Sequence, residues 1–248
     1  MKIVVVIPCR NDAGFLQRCL TALDLQTRGP DQVIVVDNAS IDDTSAVARA
    51  HGATLVCQNR RGIWPAASAG YDKAFAEDAD IIARLDADSV PPENWLARIE
   101  RAFRVIPSLE GITGPGRFYG TDPIRKWIGE HLYLGAIEGI VHPWLGHPMF
   151  FGSNMAMRAE LWKQHRNSVL SHRSDIHDDL DLSLQLRPGN RIIFDRSLVV
   201  DVSGRPLDSF KDVTVRVGKA FVTFYATWPQ ANPFLRRREA TGPSQSNL

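Results

Sequence analysis

At 248 residues, with 44% hydrophobic and 23% charged side chains, the chain has ordinary globular composition and enough apolar bulk for a sizeable core. Its 29 basic and 28 acidic residues leave a net charge of +1, which excludes a whole-molecule field for nucleic acid. Three irregularly spaced cysteines (Cys9, Cys19, Cys57) exclude a disulfide framework and fit a reducing cytoplasm, and no stretch reaches the roughly 18 apolar residues of a membrane span.

Residues 1–104 alternate strand and helix patterns. The β-branched run Ile3–Ile7, ended by Pro8, reads as a strand buried on both faces. Asp12 is placed to cap a helix reaching Gln26, with Phe15, Leu16, Cys19, Leu20 and Leu23 on one face. Val33–Val36 is a second buried strand ending at Asp37, followed by a capped helix Asp42–Ala50 and a strand Ala53–Cys57. A helix Pro65–Ala76 leads to a fourth strand, Ile81–Leu85, ending at Asp86; past Pro91-Pro92, the residues Trp95, Ile99 and Phe103 mark another amphipathic helix. Strands separated by single helices imply parallel pairing with right-handed crossovers.

Beyond about residue 110 the pattern loosens. Gly114–Gly120 reads as a bent strand, because Pro115 removes a phosphate-binding amide and the glycine spacing fails the dinucleotide fingerprint. Helical stretches are expected at Ile124–Val141, from Ala159, at Asp178–Leu186 and at Leu207–Trp228, with short strands at Ile192–Phe194 and Leu198–Val202. His142–Pro148 is expected as a loop. The expected fold is a single α/β domain with a mostly parallel sheet flanked by helices. Residues 1–104 form its regularly alternating half, 105–228 the other half of the same domain with a C-terminal lobe, and 229–248 a polar, poorly ordered tail.

In open parallel sheets ligands sit beyond the carboxyl ends of the strands, so the strand-end residues carry the chemistry. Asp12 and Asp42 have a plain reading as helix caps. Asp37 precedes its helix by several residues, and a carboxylate held there can accept a hydrogen bond from a base or ribose. Asp86-Ala87-Asp88 places two acids at i and i+2, on the same side of an extended segment. Their repulsion is relieved by a hard divalent ion completed by diphosphate oxygens; the plain alternative is a solvated turn. The cluster His177-Asp178-Asp179-Leu180-Asp181 is either a solvated helix N-terminus or the carrier of a general base.

Taken in order, Val6-Ile7-Pro8-Cys9-Arg10-Asn11-Asp12, Ile34-Val35-Val36-Asp37-Asn38-Ala39-Ser40, Asn59-Arg60-Arg61-Gly62, Asp86-Ala87-Asp88, Phe151-Gly152-Ser153-Asn154-Met155-Ala156 and His177-Asp178-Asp179 resemble the family 2 glycosyltransferases of GT-A type. The resemblance spans roughly residues 3–187. It implies inverting transfer of a sugar from a nucleotide-diphosphate donor to a hydroxyl acceptor, which a lipid carrier, a glycan or another molecule presents. On this basis Pro8, Arg10, Asp12, Asp37, Asn59, Arg61 and Asp86 belong to the donor site, and Asp88 with Asp86 holds magnesium or manganese. Gly152, Ser153, Asn154 and His177 lie on the acceptor side. Asp179 is the base, with Asp178 in the place usually held by Glu. One departure is Ala66-Ala67-Ser68-Ala69-Gly70, where many relatives carry Ala-Arg-Asn-x-Gly: a cation for the donor phosphates is missing, and Arg60 or Arg61 is the expected substitute. The Gln-x-x-Arg-Trp signature of processive synthases is absent as well, which favours single-sugar transfer.

His142, Trp144 and His147 are either structural or solvent-facing, or else part of an acceptor-side lid or neighbours of a metal. Residues 124–145 and 210–228 are amphipathic with basic residues nearby, which suits either core packing or peripheral contact with the inner face of a membrane, giving access to a lipid-linked acceptor. The rivals are a nucleotide-sugar-forming nucleotidyltransferase, disfavoured because Cys9–Gly14 supplies only Arg10 for a triphosphate, and a non-catalytic nucleotide-sugar-binding protein.

Overall fold

A computed structural model of the protein describes residues 1–127, 129, 135, 139, 141–205, 210–228 and 232. The first half follows the expected alternation: β1 (Ile3–Cys9), α1 (Ala13–Asp24), β2 (Gln32–Asp37), α2 (Thr44–Ala50), β3 (Thr54–Cys57), α3 (Ile63–Ala76), β4 (Ile81–Arg84) and α4 (Trp95–Val105). The second half adds β5 (Gly111–Thr113), β6 (Gly116–Tyr119), α5 (Pro123–Trp127), α6 (His142–Leu145), β7 (Met155–Arg158), α7 (Ala159–His165), α8 (Asp178–Gln185), β8 (Ile192–Phe194), β9 (Val200–Ser203) and α9 (Phe210–Ala226).

Seven strands make one sheet in the order β3-β2-β1-β4-β7-β5-β8, and β6 pairs with β9 in a separate ribbon. The β1–β2, β2–β3 and β1–β4 pairs are parallel, whereas β7 runs antiparallel to both β4 and β5. β1 is buried along its whole length because helices cover both faces of the sheet. With period two, Ile3, Val5 and Ile7 join Leu16, Leu20, Trp95 and Phe103 on one side, while Val4 and Val6 join Trp64, Tyr71 and Trp162 on the other. α3 approaches the sheet so closely at Gly70 that a Cβ there would lie 2.3 Å from Val6 Cγ1.

Several local expectations need correction. Pro8 does not end β1, which continues to Cys9. Val6 faces β4, accepting the Leu85 amide, so period two turns Pro8 the same way, and the β4 pairing has already stopped at Val6–Arg84; no ladder donor is lost. Asp12 makes no side-chain cap on α1; Asp42 reaches across instead and accepts the Ala13 amide at 3.0 Å. The expected loop His142–Pro148 contains α6, with Pro143 in its first turn, where a missing N–H costs nothing. β4 ends at Arg84, and Asp86–Ser89 is a turn closed by a Ser89 N–H to Asp86 carbonyl bond of 3.0 Å, so Asp86 and Asp88 are not on an extended segment.

α9 seats itself differently from the apolar face its spacing suggests. Thr223 and Thr227 are buried, and Val217, Phe221 and Trp228 are exposed. Each threonine hydroxyl donates to the carbonyl four residues earlier, which satisfies it away from water. Phe224 stacks on Trp144 and His142 packs edge-on against Phe194, so the His142–His147 segment joins the packing around α8 and α9. The side chains of Phe210 and Val213, most of the expected helix Ile124–Val141, and the tail from 229 apart from Asn232 lie outside the described residues. Among the described residues no helix is long and apolar enough to cross a membrane.

Candidate active site

A cleft of about 600 Å³ opens at the carboxyl ends of β1, β2 and β4. Its floor comes from the loops that follow those strands: Pro8, Arg10 and Asp12; Asn38; and Asp86, Ala87 and Asp88. Its walls are Gly62, Ile63 and Ala66 at the start of α3, then Ile176, His177 and Asp178, and finally Arg205, Val215 and Lys219. Two of the floor loops are tied together. The Asn11 amide donates to Ser40 Oγ at 3.0 Å, and Asn11 Oδ1 accepts the Ile41 amide at 2.8 Å. Asn11 and Ala39 both take positive φ there, 53° and 57°. Asn38, inside the cleft, fixes the β3–α3 loop by donating to the Gln58 and Arg60 carbonyls and accepting the Gly62 amide at 2.8 Å.

The remaining sequence-derived candidates divide by placement. Asp37 does not line the cleft; its carboxylate accepts hydrogen bonds from the Ser40 amide and the Ser45 hydroxyl. These bonds outweigh the effect of partial burial and hold its carboxyl below the ordinary carboxylate value. Asn59 and Arg61 are exposed and do not line the cleft. Arg60, the other expected substitute for the missing cation, is exposed and donates to the His172 carbonyl. Ser153 sits just behind the floor and donates to Asp86 Oδ2 at 2.5 Å. Asn154 is wholly buried away from the cleft, where Trp95, Pro115 and Leu198 take up its side-chain amide.

Behind the floor sits a charged network that sequence reading missed. Arg84, 2% exposed on β4, pairs with Asp86 Oδ1 at 3.0 Å and Asp178 Oδ2 at 2.5 Å. Gly152 lies against this guanidinium; a Cβ there would meet Arg84 Cζ at 2.8 Å. The acids of α8 do not form a solvated face, because Asp178, Asp179 and Asp181 are all buried. Asp181 points into the core and accepts from Trp64 Nε1 and the Leu170 amide. Asp179 Oδ2 accepts the Gly152 amide at 3.1 Å, and His177 Nδ1 lies 2.5 Å from Asp179 Oδ1. Burial alone would raise the Asp179 carboxyl, but His177, Arg84 and that amide outweigh it and hold the group well below the usual range. Asp88 moves the other way: burial and the charge of Asp86 push it up, against the pull of Arg205.

Two groupings could hold a cation. His177, Asp178 and Asp179 bring one ligand atom each within 4.8 Å of one another. Asp88, with Asp86 and Asp12 nearby, gathers carboxylates on the cleft floor, where burial and mutual repulsion favour a positive partner. Arg84 engages both groupings, through Asp178 in the first and Asp86 in the second; Asp88 meets, among the described residues, the half-exposed guanidinium of Arg205. Hard oxygen donors in this setting fit magnesium or manganese. Two signals for the missed residues exist in the sequence. A lone Arg84 inside the apolar run Ile81–Leu85 must find buried acids, since unpaired charge is not tolerated there. Arg205 follows the last strand of the sheet region, at a strand end, but nothing local says which acids it meets.

The model for "Glycosyl transferase family 2" matches residues 4–166. Glycosyltransferase AglE of Haloferax volcanii is 33% identical over 102 residues, covering 38% of this chain and 33% of that relative. The chain thus spans about a third of the length of that curated relative. Among solved structures, S. aureus TarS 1–349 in complex with UDP superposes with a TM-score of 0.64 at 14% identity, covering 96% of this chain and 72% of that one. Mannosyltransferase PcManGT from Pyrobaculum calidifontis, in complex with GDP-Man and Mn2+, gives 0.61 at 20% identity, covering 98% and 76%.

Proposed function

Because this chain belongs to glycosyl transferase family 2, with the α/β architecture of the GT-A glycosyltransferases, we propose that it moves a sugar from a nucleotide-diphosphate donor to a hydroxyl acceptor with inversion at the anomeric carbon. The observation that carries the reading is the convergence of Asp86, Asp88, His177 and Asp178 on one cleft at the carboxyl ends of β1 and β4. Those residues are up to 92 positions apart in sequence (178 minus 86), and buried Arg84 ties two of them, Asp86 and Asp178, together behind the cleft. UDP in the TarS complex and GDP-Man with Mn2+ in the PcManGT complex support a nucleotide-diphosphate donor and a divalent cation here.

In this reading Pro8, Arg10, Asp12 and Asn38 border the nucleotide, and Asp88 with Asp86 holds the cation. The cation, when bound, stabilises the charge that develops on the leaving diphosphate. The chain's own residues do the rest. Arg84 and Ser153 orient Asp86, so its carboxylate meets the donor in one geometry. Asp179, which accepts the Gly152 amide and lies against His177, is assigned as the base that takes the acceptor hydroxyl's proton. Asp178 on the cleft wall, paired with Arg84, keeps the acidic helix start facing the reacting centre.

A second reading of the base is favoured by one observation: Asp178 lines the cleft, whereas Asp179 does not line it and lies against His177, which does. Asp179→Asn and Asp178→Asn decide between them. The true base, once changed, loses about 10²–10⁴ in turnover while nucleoside diphosphate affinity stays near wild type. Sugar release from labelled UDP- and GDP-sugars, with and without chelator, tests the function itself. No release from any donor, with nucleotide still bound, assigns the chain a binding role instead.

A further inference from the structure

Arg205 lies 193 residues from Asp12 and 117 from Asp88 in sequence, yet it bridges them across the cleft floor. Nη1 donates to Asp12 Oδ1 at 2.8 Å and Nη2 to Asp88 Oδ2 at 3.1 Å. The guanidinium carbon sits 3.9 Å from the centre of the Phe15 ring, which gives the planar group a platform. The side chain is 46% exposed, so among the described residues these contacts hold it rather than burial in the core. By contrast the other acid of the triplet, Asp86, is engaged from behind by buried Arg84 and by Ser153.

A guanidinium and a divalent cation cannot both sit against Asp88 Oδ2 without strong repulsion. A cation held through Oδ2, or through both oxygens of the carboxylate, therefore displaces Nη2. The rest of the side chain stays over Phe15 and beside Asp12, which also lines the cleft, so the displaced fork remains within it. Phosphate oxygens brought in with the cation are the natural new partner, because the guanidinium fork matches them bidentately. Arg60 and Arg61, both exposed outside the cleft, do not compete for that place.

Resting on the donor-site reading above, we propose that Arg205 is a resident counter-ion of the donor site: it neutralises Asp12 and Asp88 while the cleft is free, yields Asp88 to the cation, and then holds the donor's diphosphate. Two affinities must then move in opposite directions when Arg205 is removed. Calorimetry on Arg205→Ala should show Mn2+ alone binding roughly fivefold tighter, since one competing ion pair is gone. In saturating Mn2+, whichever of UDP and GDP the wild type binds should bind about tenfold more weakly or worse, the loss expected for a charge-assisted phosphate contact. Arg205→Lys, which keeps the charge but not the fork, should fall between the two and guards against a folding defect in the alanine variant. Loss of both affinities together, no change in either, or weaker binding of Mn2+ alone overturns the proposal. Asp88→Ala separates the two levels: unchanged Mn2+-dependent nucleotide binding there, or a wild type that binds neither nucleotide, removes the donor-site reading itself. Loss in Asp88→Ala with no response to Arg205 removes only the role of Arg205.

Discussion

Replacing Arg84 by Met should cost the protein about 3–5 kcal/mol, the loss expected when one partner of a buried ion pair is deleted. The guanidinium is 2% exposed and meets two carboxylates, Asp86 at 3.0 Å and Asp178 at 2.5 Å. Unit charges 3 Å apart attract by about 5 kcal/mol at an effective dielectric near 20, and desolvation of the guanidinium offsets much of that in the wild type. The variant keeps the desolvated carboxylates and loses the compensation, so the deficit is larger than the net worth of the pair. For a chain of this size the midpoint of thermal unfolding should fall by roughly 6–20 °C, read by calorimetry or by denaturant titration of the same samples. Adding Asp178→Asn removes one orphaned charge and should return about 1–3 kcal/mol, a non-additivity that a merely steric defect would not show. A single variant within about 2 °C of wild type, or strictly additive losses in the double, would refute the view that Arg84 is the electrostatic hub beneath the cleft.

Gly70→Ala should destabilise by about 1–3 kcal/mol through overpacking, because the new Cβ would lie 2.3 Å from Val6 Cγ1 and 2.8 Å from Val36 Cγ2; denaturant midpoints measure it, and a neutral result would mean α3 can retreat from the sheet. Asp179 has a folded-state carboxyl depressed from 3.8 to about 2, so its contribution is present above the higher value and is lost as pH falls through the lower one. Asp179→Asn should therefore flatten the acid limb of stability between those values, and an unchanged limb would deny that Asp179 is held ionised. Of the three free cysteines only Cys57 is exposed, and burial pushes the Cys9 thiol up to about 12. A maleimide should label one thiol per native chain and three after unfolding, counted by mass spectrometry.

The alternating first half was legible because each element is announced within a few residues: β-branched runs for β1 and β2, amphipathic spacing for α1 and α4. The strand-end acids were legible for the same reason: Asp12, Asp86 and Asp88 line one cleft, whereas Asp37 does not, and of the expected acid pair on α8 Asp178 lines it and Asp179 does not. Where reading failed, a distant partner had overridden a local rule. Asp12 is suited to a cap, but Arg205 takes its carboxylate while Asp42 caps α1 from another loop. Asn154 sits in a motif that suggested a cleft floor, and Trp95 together with two carbonyls draws it into the core. The apolar spacing of α9 pointed one face inward; Phe224 of that face packs, beside the self-satisfied Thr223 and Thr227, while Val217, Phe221 and Trp228 stay exposed.

Sequence alone determined that strands and helices alternate, which strand is buried on both faces, and in what order the acids arrive, since backbone preference and hydrophobic periodicity act over a turn or a few strand residues. Only tertiary structure decided which charges meet. Arg84 finds Asp178 94 positions later (178 minus 84), and Arg205 finds Asp88 across 117. Ion pairing depends on distance in space, and the folded sheet, not the local pattern, sets that distance.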